Sequence, residues 1–285
     1  MLLVIFVHEI IFLKIDKTRG FVEYSERYLE YYPVIKKGVA LYTQERVAQL
    51  RQDEYFFINE IVARKKIGNP DVSSLKIKYN QDVFRRLLNK SNYIPGIQIE
   101  KKNIVDAIGK PFEGNFYSIK NVDKINYDYE NFGLWNDVML KAIYCDKTGF
   151  DNGDFYILKL LKNGSGGYLD THYLFGLLFL KKNNCYAEAE LDKQIAAVSA
   201  DIAIAEDNDK AFSDLYAERI VFLYWAGYGN LVKKEWADSI KNNFNKEYGW
   251  TENSSQSFNG HVSGLSLLAL IYFAENKNLQ PFYDN

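Results

Sequence analysis

The sequence predicts an all-α protein: an α/α toroid, or incomplete toroid, of helical hairpins preceded by an N-terminal helical segment. Three observations carry this. In the second half of the chain, apolar segments alternate with amphipathic ones, and glycine-bearing turns separate them. Three apolar segments carry a glycine on a recurring interval: Gly133 and Gly176 are 43 residues apart, and Gly176 and Gly264 are 88 apart, twice 44. That interval is the length of one helical hairpin. No segment there shows the period-two alternation of a strand. A helix apolar around its circumference is buried on all sides, so alternating buried and surface helices describe two concentric layers. An open solenoid is the competitor, but its inner helices would keep a polar face on the concave surface.

The elements follow in order. Met1 to Val7 and Ile10 to Leu13 are apolar runs split by His8 and Glu9, with no basic residue before them and no small-residue cleavage site before Lys14. This fits neither a secretory signal nor a membrane span of about 20 apolar residues. It reads as a docked N-terminal element of a cytoplasmic chain, the alternative being export through an incomplete signal. Val22, Tyr24, Tyr28, Leu29 and Tyr32 recur at helical spacing until Pro33, which stops or kinks that helix. Val39 to Leu50 and Phe56 to Val62 mark two more, and Asn80 caps a short helix reaching about Asn89. From Lys90 to Glu130 the pattern dissolves around Pro95, Gly96, Pro111 and Gly114, with one short helix near 102–109. A loop that long wraps the surface or covers one end of the array. Inner helices are then expected at 131–145, 171–183, 212–226 and 261–275, and outer ones at 153–162, 187–206 and 231–245. The whole reads as one domain, 1–285: an N-terminal helical part to 110, a loop at 111–130, and hairpin repeats from 131.

Composition narrows the function classes. A net charge of −2, with isolated basic clusters such as Arg64-Lys65-Lys66, gives no footprint for nucleic acid. Aromatic residues reach 16%, with 22 Tyr and 19 Phe. Tyrosine joins a packing ring to a wet hydroxyl and suits a lined cleft or carbohydrate-type surface; codon bias in an AT-rich genome accounts for the same excess. Two cysteines make no disulfide framework. Cys145 and Cys185 fall near the ends of successive inner helices, whose axes lie roughly 8–10 Å apart. A bridge wants Cα atoms within about 7 Å, so that spacing weighs against pairing.

Function concentrates where equivalent helices begin. Parallel inner helices put their N-termini at one mouth, and those starts hold Asp170, Thr171 and His172, then Asp214 and Glu218, then His261. Asp170, Ser213 or Asp214, and Asn259 are also ordinary helix caps. The histidines are not natural caps, and the positive helix end favours neutral imidazole, the form a general base or metal ligand needs. Asp170, His172, Glu218 and His261 are therefore the candidate catalytic groups, with Tyr173, Asp214, Tyr216 and Trp250 as candidate ligand contacts. Asp170, His172 and His261 form the candidate metal set, and zinc accepts such ligands.

The stretch from Gly167-Tyr168-Leu169-Asp170-Thr171-His172 into Phe175-Gly176-Leu177, with Gly249-Trp250 leading to Gly260-His261-Val262-Ser263-Gly264-Leu265, resembles inner helices of the α/α-toroid superfamily over about 130–276. That group includes terpenoid cyclases, protein prenyltransferase β subunits and lanthionine-forming cyclases. In prenyltransferases an Asp-x-Cys pair and a later His bind zinc, a pattern that Asp170-x-His172 and His261 follow with His in place of Cys. The cyclases' Asp-rich motif and the lanthionine cyclases' Cys-His-Gly motif are absent, so no specific activity transfers. The expected function is an enzyme-like site at the mouth, metal-dependent or carbohydrate-active, the latter using Asp170 and Glu218 as two carboxylates across a cleft. Its ligand would be a small molecule, peptide or carbohydrate. The rival class is a non-catalytic binding or scaffold protein.

Overall fold

The computed structural model describes residues 19–50, 54, 57, 58, 61, 138, 139, 141–143, 145–209, 211–252 and 256–275. Nine α-helices and one short 3-10 helix, Gly229–Leu231, are bounded among them: α1 Arg19–Ala40, α2 Gln44–Ala48, α3 Cys145–Thr148, α4 Asn152–Leu160, α5 Tyr168–Lys182, α6 Glu188–Asn208, α7 Asp214–Trp225, α8 Lys234–Asn242 and α9 Gly260–Glu275. Residues 138, 139 and 141–143 are also helical, as are 54, 57, 58 and 61. The described residues are mostly helical and contain no strand, only an isolated bridge between Asn245 and Gly249. None of their helices is long and apolar enough to cross a membrane. The helices expected at 80–89 and 102–109, the loop at 90–130 and the run at 1–13 lie outside the described residues.

Sequence explains the layering. In α7 and α9 nearly every residue is buried, including Ile220 to Trp225 and Val262 to Glu275. A helix so apolar finds its stability only in packing on several sides. The outer α8 is amphipathic and buries only Trp236, Ala237 and Ile240. Helix starts are marked by side chains: Asp151 and Asp154 form a capping box on α4, and Ser213 accepts from the Tyr216 N–H at the start of α7. Pro33 neither ends nor divides the first helix. α1 runs through it to Ala40, and Tyr31, Ile35 and Val39 are buried along its length.

One register aligns the inner row. Thr171 of α5 meets Glu218 of α7 at a separation of 47 residues, and one turn further Phe175 stacks on Phe222. Asp214 of α7 meets His261 of α9, and near the other end Trp225 Nε1 donates to the Tyr272 hydroxyl, again 47 residues apart. The same offset at both ends means that α5, α7 and α9 run parallel, side by side. The row continues both ways. Gly260 sits under Leu50 and Glu54 and Gly264 under Phe57, so the helix through 54–61 points the same way as α9. Asn183 donates to the Ile143 carbonyl and Gly176 packs on Met139, which places the 138–143 helix alongside α5. The outer helices return antiparallel: Gln194 of α6 meets Tyr173, while Ala205 meets Gly166 before α5 begins. Likewise, α1 places Tyr31 on Phe273 and Gly38 against Leu267.

This register corrects the glycine interval. Gly176 is the ninth residue of α5 and Gly264 the fifth of α9, so they are not equivalent. Each nonetheless permits close approach: a Cβ at Gly264 would lie 2.9 Å from Phe57 Cβ, and one at Gly176 3.0 Å from Leu158 Cδ1.

The cysteines also differ from expectation. Cys145 and Cys185 are disulfide-bonded, with Cα atoms 5.9 Å apart. Cys185 lies beyond α5, in a turn where Asn184 adopts φ 55° and the Cys185 N–H reaches back to the Leu180 carbonyl. Helix-axis spacing therefore does not limit the pair.

Two predictions follow from this architecture. The bridge closes a 40-residue separation, which confines the unfolded chain by about 4 kcal/mol. Replacing both cysteines by serine should lower the free energy of urea unfolding by about that amount. The second concerns the seam between α1 and α8, where Glu30 and Asp238 share Lys234 and Lys241 at 2.7–2.9 Å and Tyr31 donates to Asp238. Burial pushes the Asp238 carboxyl up, but hydrogen bonds from Lys234, Lys241 and Tyr31 outweigh it and hold it at about 2. A depressed carboxylate stabilises the fold above its unfolded value of 3.8 and loses that contribution as pH falls toward 2. Melting temperature measured from pH 5 to pH 2 should fall less steeply in Asp238→Asn than in the wild type.

Candidate functional site

The N-terminal ends of α7, α9 and the 54–61 helix meet at a cleft of about 720 Å³ whose lining includes Arg46, Glu54, Asp214, Glu252, Phe258 and His261. Each side chain is placed by local structure. Asp214 opens α7 and Glu218 follows one turn later on the same face. The Asp214 N–H donates to Glu252 at 2.7 Å, which leaves its carboxylate to point across the helix starts. His261 is the second residue of α9, where Asn259 Oδ1 accepts from the N–H groups of His261 and Val262 at 3.0 and 3.2 Å. Gly260 just before it lets Leu50 and Glu54 pack close: a Cβ there would lie 2.7 Å from Leu50 Cδ2, and those side-chain ends would have to shift. Phe57 stands edge-on to the imidazole.

Asp214, Glu218 and His261 form the centre, with one ligand atom from each lying within 4.8 Å of the others. His261 Nε2 is 3.3 Å from Asp214 Oδ1. That oxygen is buried and receives no hydrogen bond, while Tyr168 donates to Oδ2 at 3.1 Å. Glu218 is only 4% exposed and contacts the Thr171 hydroxyl. Burial raises its carboxyl above the ordinary 4.5, against the opposing pull of His172 and the Thr171 contact, while Asp214 adds to the rise. His172 stands 4.0 Å from Glu218. Its Nδ1 lies 2.6 Å from the Tyr168 carbonyl, an acceptor only, so Nδ1 carries the proton.

The expected site residues divide accordingly. His172, Asp214, Glu218 and His261 are brought together. Asp170 is not with them: its carboxylate accepts from the N–H groups of Asn163, Gly164 and Gly166 at 3.0, 3.1 and 2.6 Å. Gly164 and Gly166 adopt φ 71° and 67° there, a turn that a three-pronged acceptor holds shut. Asp170 thus leaves the candidate metal set, and Glu218 and Asp214 enter it. Tyr173 is buried against Gln194, and Tyr216 is buried beside Phe212. Trp250 is buried with its indole N–H on the Ile240 carbonyl. All three serve packing, and none lines the cleft. Arg46, Glu54 and Glu252 reach the mouth from distant segments that carry no local signature, so sequence alone does not point to them. Tyr168 and Thr171 were within the segment read, and their role appears only with α7 alongside.

The donor set suits a divalent transition metal. Zinc takes His and carboxylate ligands at about 2.0–2.2 Å in a tetrahedron, whose edges are then about 3.4 Å. The 3.3 Å separation of Asp214 Oδ1 and His261 Nε2 matches such an edge and is long for an N–H···O bond. An unfilled buried oxygen facing an imidazole is what a cation would satisfy. No family model, curated protein or solved structure matches the chain.

The raised Glu218 carboxyl has a sign. The metal-free fold prefers the protonated acid, so its contribution is present below 4.5 and is lost as pH rises from there toward the folded value. Glu218→Gln should therefore gain stability relative to the wild type between pH 5 and pH 8 in chelator, read from urea midpoints. A gap constant with pH would contradict the shift.

Proposed function

We propose that this protein is an enzyme-like α/α toroid, or an arc of one, whose mouth holds a divalent metal ion on Asp214, Glu218 and His261 and acts on a small polar ligand in the cleft. The parallel row formed by the 138–143 helix, α5, α7, α9 and the 54–61 helix, with α1 and α6 returning antiparallel, supports the toroid reading. It also agrees with the resemblance to that superfamily. The observation that carries the functional reading is the meeting of one imidazole and two carboxylates from adjacent helices beside an open cleft. Zinc best fits this mixture of nitrogen and oxygen donors. Once bound, such an ion supplies Lewis-acid polarisation of a ligand oxygen and lowers the pKa of water. The protein's own contribution is to hold three ligands on rigid helix starts, with Glu54, Glu252 and Arg46 set around the cleft to orient a polar ligand. The carbohydrate-active variant loses its proposed pair, because Asp170 is committed to the turn before α5.

Metal analysis tests this directly. After chelation and reloading, the protein should retain about one zinc per chain, and His261→Ala and Glu218→Gln should each abolish retention while leaving the helical circular-dichroism signal intact. Saturable zinc binding that survives both substitutions would place the ion elsewhere. No saturable binding at all would favour the non-catalytic binding protein.

A further inference from the structure

We infer that Tyr168 is the positioning residue of this centre, orienting Asp214 through its hydroxyl and the imidazole beside Glu218 through its carbonyl; the inference rests on the metal reading above. Tyr168 is the first residue of α5. Its hydroxyl donates to Asp214 Oδ2 at 3.1 Å, and its carbonyl faces the Thr171 hydroxyl at 2.9 Å and His172 Nδ1 at 2.6 Å. Thr171 in turn contacts Glu218.

A carboxylate has two equivalent oxygens, and its last torsion is broad. A donor fixed on one oxygen therefore decides where the other points. With Oδ2 held by Tyr168, Oδ1 is turned into the buried face opposite His261 Nε2. The carbonyl acts beside the second ligand: it accepts from His172 Nδ1 at 2.6 Å and so holds that imidazole 4.0 Å from Glu218, while the single Thr171 proton is left to serve the Glu218 carboxylate. Partners of this kind around metal ligands set affinity by restricting ligand rotation.

The phenol is suited to the task. A phenol keeps its proton at neutral pH, its ordinary pKa being about 10, so it is a donor to the Asp214 carboxylate. Tyr168 is 44% exposed as a residue, so it is not a core packing residue, and its hydroxyl is spent on Asp214.

Tyr168→Phe separates the two roles, since it deletes the hydroxyl and keeps the carbonyl. Zinc affinity would be measured by competition with a chromogenic chelator, alongside the melting temperature of metal-free protein and its crystal structure. The expected result is zinc binding weakened about 10- to 100-fold, an unchanged metal-free melting temperature, and Asp214 Oδ1 turned away from His261. Tyr156→Phe, on an exposed tyrosine of α4, should bind zinc as the wild type does. Equal zinc affinity in Tyr168→Phe and the wild type would overturn the inference, as would an unmoved Asp214 in the crystal. If the wild type itself binds no zinc, the metal reading fails, and the orientation of Asp214 in the two crystal structures still decides the positioning role.

Discussion

A helix with no polar face cannot stand at a surface, and α9 is such a helix from Val262 to Glu275. It must be covered on several sides at once, by α7, α1, α8 and the 54–61 helix. Ring packing between α7 and α9, and between α5 and α7, fixes a common direction and a common height. Charged side chains are then excluded from the stretches Tyr173–Leu180, Ile220–Trp225 and Val262–Ala274, where each uncompensated charge would cost several kcal/mol. His172, Asp214, Glu218 and His261 sit in the first two turns of their helices, and parallel packing brings those turns together. The mouth is thus a by-product of how the core is closed.

The buried acids show how the mouth differs from the rest of the molecule. Asp154 is held by Lys141 and by the Asp151 N–H. Asp170 takes three backbone N–H groups, and Glu206 faces the Arg219 guanidinium, which also grips the Gly166 carbonyl. Asp154 and Asp170 each have a cation or a set of donors that accounts for their burial, whereas Glu206 keeps one buried oxygen without a hydrogen bond and burial pushes its carboxyl up to about 9 despite Arg219. Asp214 and Glu218 have a phenol, a threonine hydroxyl and two imidazoles around them, and no lysine or arginine in ion-pair contact among the described residues. Negative charge gathered at helix starts is favoured by the helix dipole. It still lacks a strong local counter-charge, which is why a bound cation is a natural complement.

Much of this order was legible in the sequence, and the misreadings have physical causes. Apolar periodicity located α5, α7 and α9 to within a few residues, because burial on all sides leaves an unmistakable pattern. The Asp214 and Glu218 spacing already placed two carboxylates on one face. The glycine interval, by contrast, matched a hairpin length without marking equivalent positions. Each glycine answers to its own neighbour, Leu158 and Met139 for one and Phe57 for the other. Trp250 and Tyr173 pack in the core, which sequence does not reveal, because an aromatic ring looks the same there whether it faces solvent or core. A carboxylate at a helix start serves a turn as readily as a ligand, and the three N–H groups before Asp170 tie it to the turn.

The disulfide has a topological consequence. Cys145 and Cys185 enclose α4, the glycine turn and α5 in a covalent loop. The turn from Asn163 to Ser165 is exposed, but its N–H groups are tied to the Asp170 and Asn163 side chains, so a protease cuts there only when the turn opens. A single cut there opens the backbone without parting the molecule. The bridge still spans the break, and α5 stays joined to the helix through 138–143 that it packs against. The nicked protein would run as one species without reductant and as two fragments with it.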